Sequence, residues 1–145
     1  MAMQVFMAFL GSIGFAIFFK MKGKQIILAG IGGAIAWAVY LLMAEYVEGE
    51  FIPNFVASVF VAIYAEIMAR VNRAPTTIFL TAVAIPLLPG GSLYYTMAGL
   101  VNKDALLFSQ SGEKALVIAL AISLGFTLVA IINKYIRGIT SLRNK

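Results

Sequence analysis

The chain contains no cysteine and no histidine. Without cysteine there are no disulfides, no thiolate nucleophile and no Fe–S ligation. Without histidine there is no Ser-His-Asp hydrolysis and no His-based zinc site. Charge is scarce too, at 12% of 145 residues, where a soluble domain carries about 25%. Only six residues are acidic and most of them fall in loops, so a carboxylate-only metal site has little to build from. No metal, cofactor or acid/base pair is therefore expected, and the chain does not read as an enzyme. The Gly-rich patch Ala29-Gly30-Ile31-Gly32-Gly33-Ala34 is not a phosphate loop, because no strand precedes it and no Gly-Lys-Ser/Thr follows. The net charge of +5 does not indicate nucleic acid. Its basic residues sit beside apolar runs, where they act as topology signals.

What fills the chain is apolar: 62% hydrophobic residues and a mean hydropathy of +0.97. That composition makes an integral membrane protein. With about 20 residues needed per spanning helix, four to six spans fit and no soluble domain does. Residues 1–145 form a single transmembrane domain in this reading.

The first span covers about residues 1–19. It lacks a basic leading region, and Phe18-Phe19-Lys20 does not resemble a cleavage site, so it is expected to be a retained helix and not a signal peptide. Ala8, Ser12 and Ala16 repeat every fourth residue, a narrow strip suited to close helix packing. The second span covers about 25–44, with the small pairs Ala29/Gly33 and Gly32/Ala36. Trp37 and Tyr40, toward its far end, read as interfacial aromatics. The third covers about 54–71 and opens at Pro53, where a missing N–H costs nothing. It holds the only acidic residue inside an apolar run, Glu66. Two readings stand for Glu66: an i,i+4 pair with Arg70 near the membrane surface, or a coupling carboxylate facing the bundle interior. Asn54, Ser58, Ala62 and Glu66 fall at successive i+4 steps, consistent with an inward face.

The fourth span is expected over 76–101, broken at Pro86-Leu87-Leu88-Pro89-Gly90-Gly91. From Thr76 to Leu88 is 13 residues, too few to cross, whereas Thr76 to Val101 is 26. A broken span fits these lengths better than a re-entrant hairpin, which stays open. Pro86 and Pro89 withhold the N–H groups that the carbonyls of Ala82 and Ile85 would receive. Gly90 and Gly91 allow close backbone approach. Ser92 is the expected N-cap of a new half-helix whose free amides would face an anion. Ser92, Tyr95, Thr96 and Gly99 would share its polar face. Pro86, Pro89, Gly90, Gly91, Ser92, Tyr95 and Thr96 are therefore the candidate substrate-binding residues, as in transporters with discontinuous helices. The competing reading is a purely structural kink. Asn102 to Lys114 is expected to be a loop or short surface helix, followed by the fifth span over 115–136. On that span Ala119, Ser123, Thr127 and Ala130 share a face, for packing or as a polar wall.

Several stretches resemble the threonine/serine exporter (ThrE) family. They are Pro75-Thr76-Thr77-Ile78-Phe79-Leu80 and Ile85-Pro86-Leu87-Leu88-Pro89-Gly90-Gly91-Ser92-Leu93-Tyr94. Upstream, Gly14-Phe15-Ala16-Ile17-Phe18-Phe19, Gly33-Ala34-Ile35-Ala36-Trp37 and Tyr64-Ala65-Glu66-Ile67-Met68-Ala69-Arg70 also match. The resemblance runs over about residues 10–136, and the length is similar to that of the small, YjjB-like subunit. It implies a large ThrE-type membrane partner carrying the other half, or a homo-oligomer. It also implies export of threonine, serine or a dicarboxylate such as succinate from the bacterial cytoplasm. A non-transporting membrane scaffold or assembly subunit is the rival.

The successive loops and the tail carry +3, −3, +2, 0 and +4. Five spans with the N-terminus outside place every basic loop in the cytoplasm. A reporter fused after Lys145 that functions only in the cytoplasm should therefore be active. Activity only of an externally functioning reporter would refute the five-span orientation.

Overall fold

The structure, a computed structural model, describes residues 1–143, and side chains as far as residue 136. Six α-helices follow one another: α1 (Ala2–Phe18), α2 (Lys24–Tyr46), α3 (Phe51–Asn72), α4 (Thr76–Ala84), α5 (Gly90–Val101) and α6 (Ala105–Arg143). A single 3-10 turn, Ile85–Leu87, continues α4. No strand occurs among the described residues, as expected where backbone groups in an apolar medium must be satisfied within their own segment.

Three helices, α2, α3 and α6 as far as Ile136, are long and apolar enough to cross a membrane. The pair formed by Thr76–Leu87 and α5 passes the same test together, bent by 60°. Helix α1, with 17 residues, is about 25 Å long, slightly less than the ~30 Å hydrocarbon core. The first four expected segments coincide with these helices to within about three residues. The fifth does not. The loop or short surface helix expected over Asn102 to Lys114 is the first part of α6, which begins at Ala105. The cause is Asp104, whose Oδ1 accepts the backbone N–H groups of Leu106 (3.1 Å) and Leu107 (3.0 Å) and so caps the helix there. No proline or glycine pair follows to stop it.

Tight turns join most helices. Lys20, Arg73 and Lys103 each take a left-handed φ, of 56°, 50° and 57°. After each one, an N–H bonds back to a carbonyl of the preceding helix: Met21 to Ala16, Ala74 to Ala69, and Asp104 to Gly99. These are Schellman closures with a basic residue where glycine is usual. The left-handed conformation costs about 1–2 kcal/mol. A cation at the negative end of a helix returns part of it, about 0.3–1 kcal/mol.

Packing depends on small residues. Ala8, Ser12 and Ala16 are buried, as are Ala29, Gly30, Gly32, Gly33 and Ala36. A β-carbon at Gly33 would collide with Ser12, and one at Gly30 with Phe9 and Ile13, so this face of α2 lies directly on α1. A β-carbon at Gly32 would meet Tyr64 and Val83, so the adjacent face lies on α3 and α4. The Tyr64 hydroxyl donates to the Leu28 carbonyl at 2.7 Å and ties α3 to α2. The inward line on α3 is as expected: Asn54, Ser58 and Ala62 are buried. Ser58 lies against Gly125 of α6, and its hydroxyl reaches the carbonyls of Phe55 (2.8 Å) and Ala121 (3.5 Å). Helix α4 is the best buried element, with Phe79, Ala82 and Val83 fully enclosed.

Residue pairing gives the helix directions. Lys114 pairs with Glu50 at 2.6 Å, Ala121 meets Ser58, and Asn133 shares a cavity wall with Glu66. Helix α6 thus runs parallel to α3 and overruns its start by about ten residues, or about 15 Å. Helix α5 runs back along that overhang, with Gly99 against the Phe108 backbone and Gly112 against Thr96.

Overpacking a close helix contact costs about 1–3 kcal/mol. Gly33→Leu should therefore lower the thermal midpoint of the purified chain clearly. Gly11→Leu, at a position on α1 with open space beside it, should leave it nearly unchanged. Equal midpoints would show that the α1–α2 seam is not set by Gly33.

Candidate functional site: a bent helix pair and a buried carboxylate

At the bend, the backbone leaves the α-helix in two steps. The Leu88 N–H bonds the Ile85 carbonyl at 3.2 Å, closing the 3-10 turn. The carbonyl that Pro89 cannot serve is thus satisfied by Leu88. Pro89, at φ −77° and ψ 49°, then forms an inverse γ-turn, with the Gly90 N–H on the Leu88 carbonyl at 2.8 Å. Helix α5 starts at once. The Leu93 N–H bonds the Pro89 carbonyl at 2.9 Å, so Pro89 is the N-cap residue and no side chain caps the helix. The expected capping by Ser92 does not occur, because the γ-turn lets the helix begin three residues earlier, with Pro89 as its N-cap. Ser92 instead accepts, through its carbonyl, the Thr96 hydroxyl at 2.7 Å.

The candidate residues of the bend have differing surroundings. Gly90 and Gly91 have no neighbouring atoms where a β-carbon would stand. Ser92 and Thr96 are half-buried and Gly99 is buried, along the seam with α6. Tyr95 points away from that seam and is exposed. Pro86 lines a cavity of about 290 Å³, together with Gln4, Met7, Ala8 and Trp37. Trp37 is not at a helix end, as its interfacial reading expected, but packs half-buried against the core cluster. Its indole nitrogen is enclosed and finds no hydrogen-bond partner among the described residues, and the same holds for the Ser12 hydroxyl.

Glu66 stands in a different setting. Its side chain is 13% exposed, and Oε1 lies 2.9 Å from Nη2 of Arg70, which is 55% exposed. Nε of Arg70 donates to the same oxygen at 3.2 Å. Oε2 accepts the Thr76 hydroxyl at 3.2 Å, from the first residue of α4. Glu66 thus forms the expected i,i+4 pair with Arg70, and its side chain is largely enclosed. It lines two cavities. One, of about 270 Å³, lies between α3 and α6 and includes Arg70 and Asn133. The other, of about 80 Å³, includes Thr76, Leu80 and Asn133. Among the described residues there is no cluster of acidic side chains able to hold a metal ion.

A family profile described as Threonine/Serine exporter, ThrE, matches residues 4–132. The chain belongs to the threonine/serine exporter family. No curated protein and no solved structure matches it. As an exporter-family protein it is a multi-pass membrane transporter component.

Against that membership, the sequence-based site splits in two. Glu66 and Arg70 come together, and α4 and α6 bring them Thr76 and Asn133. The bend residues lie elsewhere, with Pro86 on the wall of a separate cavity beside Trp37. Asn133 and Gln4 carried no signal beyond being polar residues near the ends of apolar runs. Trp37 carried a signal of the wrong kind, since aromatics near span ends are usually interfacial. Of the stripe Ala119, Ser123, Thr127 and Ala130, Ala130 borders the smaller cavity at Glu66. All four are exposed, because α6 buries Ile118, Ala121, Ile122, Gly125 and Val129 instead.

An enclosed donor without a partner costs about 1–3 kcal/mol. Trp37→Phe keeps an aromatic ring and removes that donor, so the thermal midpoint should stay level or rise. A large fall would show that the indole N–H is paired in the membrane-embedded protein.

Proposed function

We propose that this chain is one half of a secondary-active exporter in the bacterial cytoplasmic membrane. Its cargo is a small carboxylate-bearing metabolite, threonine or serine or a dicarboxylate such as succinate. Family membership over residues 4–132 is the observation that carries the reading. A proton crossing the membrane yields about 2.3 kcal/mol per 100 mV, enough for modest accumulation, and no nucleotide motif appears in the sequence.

Two features support five crossings with the N-terminus outside. Helix α6 runs parallel to α3, which requires one net crossing between them. That crossing is supplied if Thr76–Val101 is a single broken span, whereas a re-entrant hairpin would turn α6 antiparallel to α3. Charge is also segregated. Lys20, Lys22, Lys24, Arg70 and Arg73 belong to one end of the bundle, and Glu45, Glu48 and Glu50 to the other. The basic end is cytoplasmic by the positive-inside rule.

The exposed stripe on α6 supports assembly. The Ser123 and Thr127 hydroxyls are satisfied within the helix, on the Leu120 and Ser123 carbonyls at 3.0 and 2.7 Å. Ala119 and Ala130 beside them permit close approach of another helix. A ThrE-type large subunit or a second copy of the chain fits this face. In this reading the bend serves as a hinge between packed bodies, with the substrate held elsewhere.

Efflux of radiolabelled threonine, serine and succinate from vesicles, with and without a co-expressed partner, tests the proposal. Export that requires the chain supports it. Unchanged export on its removal, with loss only of partner assembly, would make it a scaffold. Pro86→Ala restores an N–H and straightens the bend. It should abolish export with stability unchanged or raised, and normal export by this variant would remove the hinge.

A further inference from the structure

We infer that the chain stands open to the cytoplasm, and that Glu50, held by Tyr40 and Lys114, latches the outer end of an export path along the α3–α6 seam. The inference rests on the exporter reading and deepens it by naming the path and the groups that close it.

The seam is uneven along its length. Toward the basic, cytoplasmic end, α3 from Val59 to Arg70 and α6 from Leu128 to Ile136 flank a cavity of about 270 Å³. The smaller cavity of about 80 Å³, bordered by Ala62 and Asn133, lies in the same half. Toward the outer end the two helices are in close contact. Asn54, Ala57 and Ser58 of α3 and Ile118, Ala121 and Ile122 of α6 are all buried. A β-carbon at Gly125 would collide with the Ser58 hydroxyl and stand 3.1 Å from the Phe55 carbonyl. From Val59 back to Glu50 this closed stretch measures about 14 Å, roughly half of the ~30 Å hydrocarbon core. Cargo in the cavity is therefore stopped by packed helices, and no single side-chain rotation would release it.

One carboxylate fixes the outer end. Oε1 of Glu50 accepts Nζ of Lys114 at 2.6 Å, and Oε2 accepts the Tyr40 hydroxyl at 3.3 Å. The Glu50 carbonyl accepts Nδ2 of Asn54 at 2.7 Å. Because Glu50 is the N-cap residue of α3, these bonds gather the far end of α2, the start of α3 and the side of α6 at one point. A lone exposed ion pair holds helices weakly. The Glu50 side chain is only 28% exposed, so departure of α6 leaves a partly enclosed carboxylate without its cation. Ser58 against Gly125 supplies a pivot, since small residues let helices cross closely. Tilting α6 about that contact parts Lys114 from Glu50 and draws Asn133 toward Glu66, opening the outer half as the cavity closes. Helix α5, packed on the same outer stretch of α6 through Gly99 and Gly112, moves with it.

The test uses right-side-out and inverted vesicles carrying the chain with its partner. The sequence has no cysteine, so Val59→Cys gives the chain a single thiol for a charged, membrane-impermeant thiosulfonate. That thiol should react from the cytoplasmic side and be protected from outside. Adding Glu50→Gln should raise outside labelling at least about threefold, as expected when a partly exposed pair and its hydrogen bond are weakened. Exchanging the charges, Glu50→Lys with Lys114→Glu, should return labelling to the parent level. Bridging Glu50→Cys to Lys114→Cys with a short, reducible bifunctional thiol reagent should stop export of whichever of threonine, serine and succinate the parent exports, and reductant should restore it. Outside labelling in the parent, no rise with Glu50→Gln, or undiminished export by the bridged chain overturns the inference and leaves the exporter reading standing. A lower thermal midpoint with labelling that the charge exchange does not reverse would make Glu50 merely structural and overturns it as well. Absence of chain-dependent efflux in the untreated parent removes the exporter reading itself.

Discussion

Gly32 and Gly33 occupy adjacent faces of α2, and the architecture depends on neither having a side chain. One face admits Ser12 of α1 and the other admits Tyr64 of α3 and Val83 of α4. In lipid there is no hydrophobic gain from helix association, because the tails are as apolar as the side chains. Close backbone approach and its dispersion contacts must supply the attraction. The same device recurs on α3 and α6, where Ser58 fills the space left by Gly125. Among the described helices, α2 therefore acts as the strut on which α1, α3 and α4 are arranged.

The helices were legible in the sequence wherever an apolar run met a break, since proline, glycine or charge fixes a boundary by backbone chemistry alone. The packing strips were legible too, because Ala8/Ser12/Ala16 and Asn54/Ser58/Ala62 repeat at the helical period and came out buried. Asp104 shows where local reading failed. A single carboxylate capping Leu106 and Leu107 extended α6 by ten residues through a polar stretch that looked like a loop. Ser92 failed for the opposite reason. It has the right chemistry for a cap, but the γ-turn at Pro89 places the helix start before it, and no residue-type preference encodes that turn.

The candidate site was legible by half. Glu66 and Arg70 declare themselves, since an acidic residue in an apolar run with a basic residue one turn on is rare enough to notice. Thr76 and Asn133 did not, because their proximity to Glu66 is created by α4 starting beside the end of α3 and by α6 running parallel to it. That register arises from packing over long sequence separation. The surroundings of the bend residues arise from the same long-range packing. Hydroxyls at Ser92 and Thr96 and the small Gly99 look like a cavity lining, yet the same residues make a close seam with α6.

The two halves of the reading meet in how the helices are grouped. Helix α4 is locked among α1, α2 and α3 through Phe79, Ala82 and Val83, whereas α5 packs along α6. Helix α6 also packs closely on α3, so the residues between Leu87 and Gly90 join α1 to α4 to the pair α5 and α6 within one continuous bundle. These groups touch across the α3–α6 seam, and the Glu66 cavity lies in that seam. Rocking of α6 against α3 would widen or close the cavity, and the chain must absorb that motion where α4 hands over to α5. Two prolines suit this position, because they have already removed the hydrogen bonds that a continuous helix would need to break. Gly90 and Gly91, with open space around them, leave the turn free to change its angle. The bend at Pro86 to Gly91 thus sits where the chain passes from α4 to α5, and Glu66 and Arg70 lie in the α3–α6 seam.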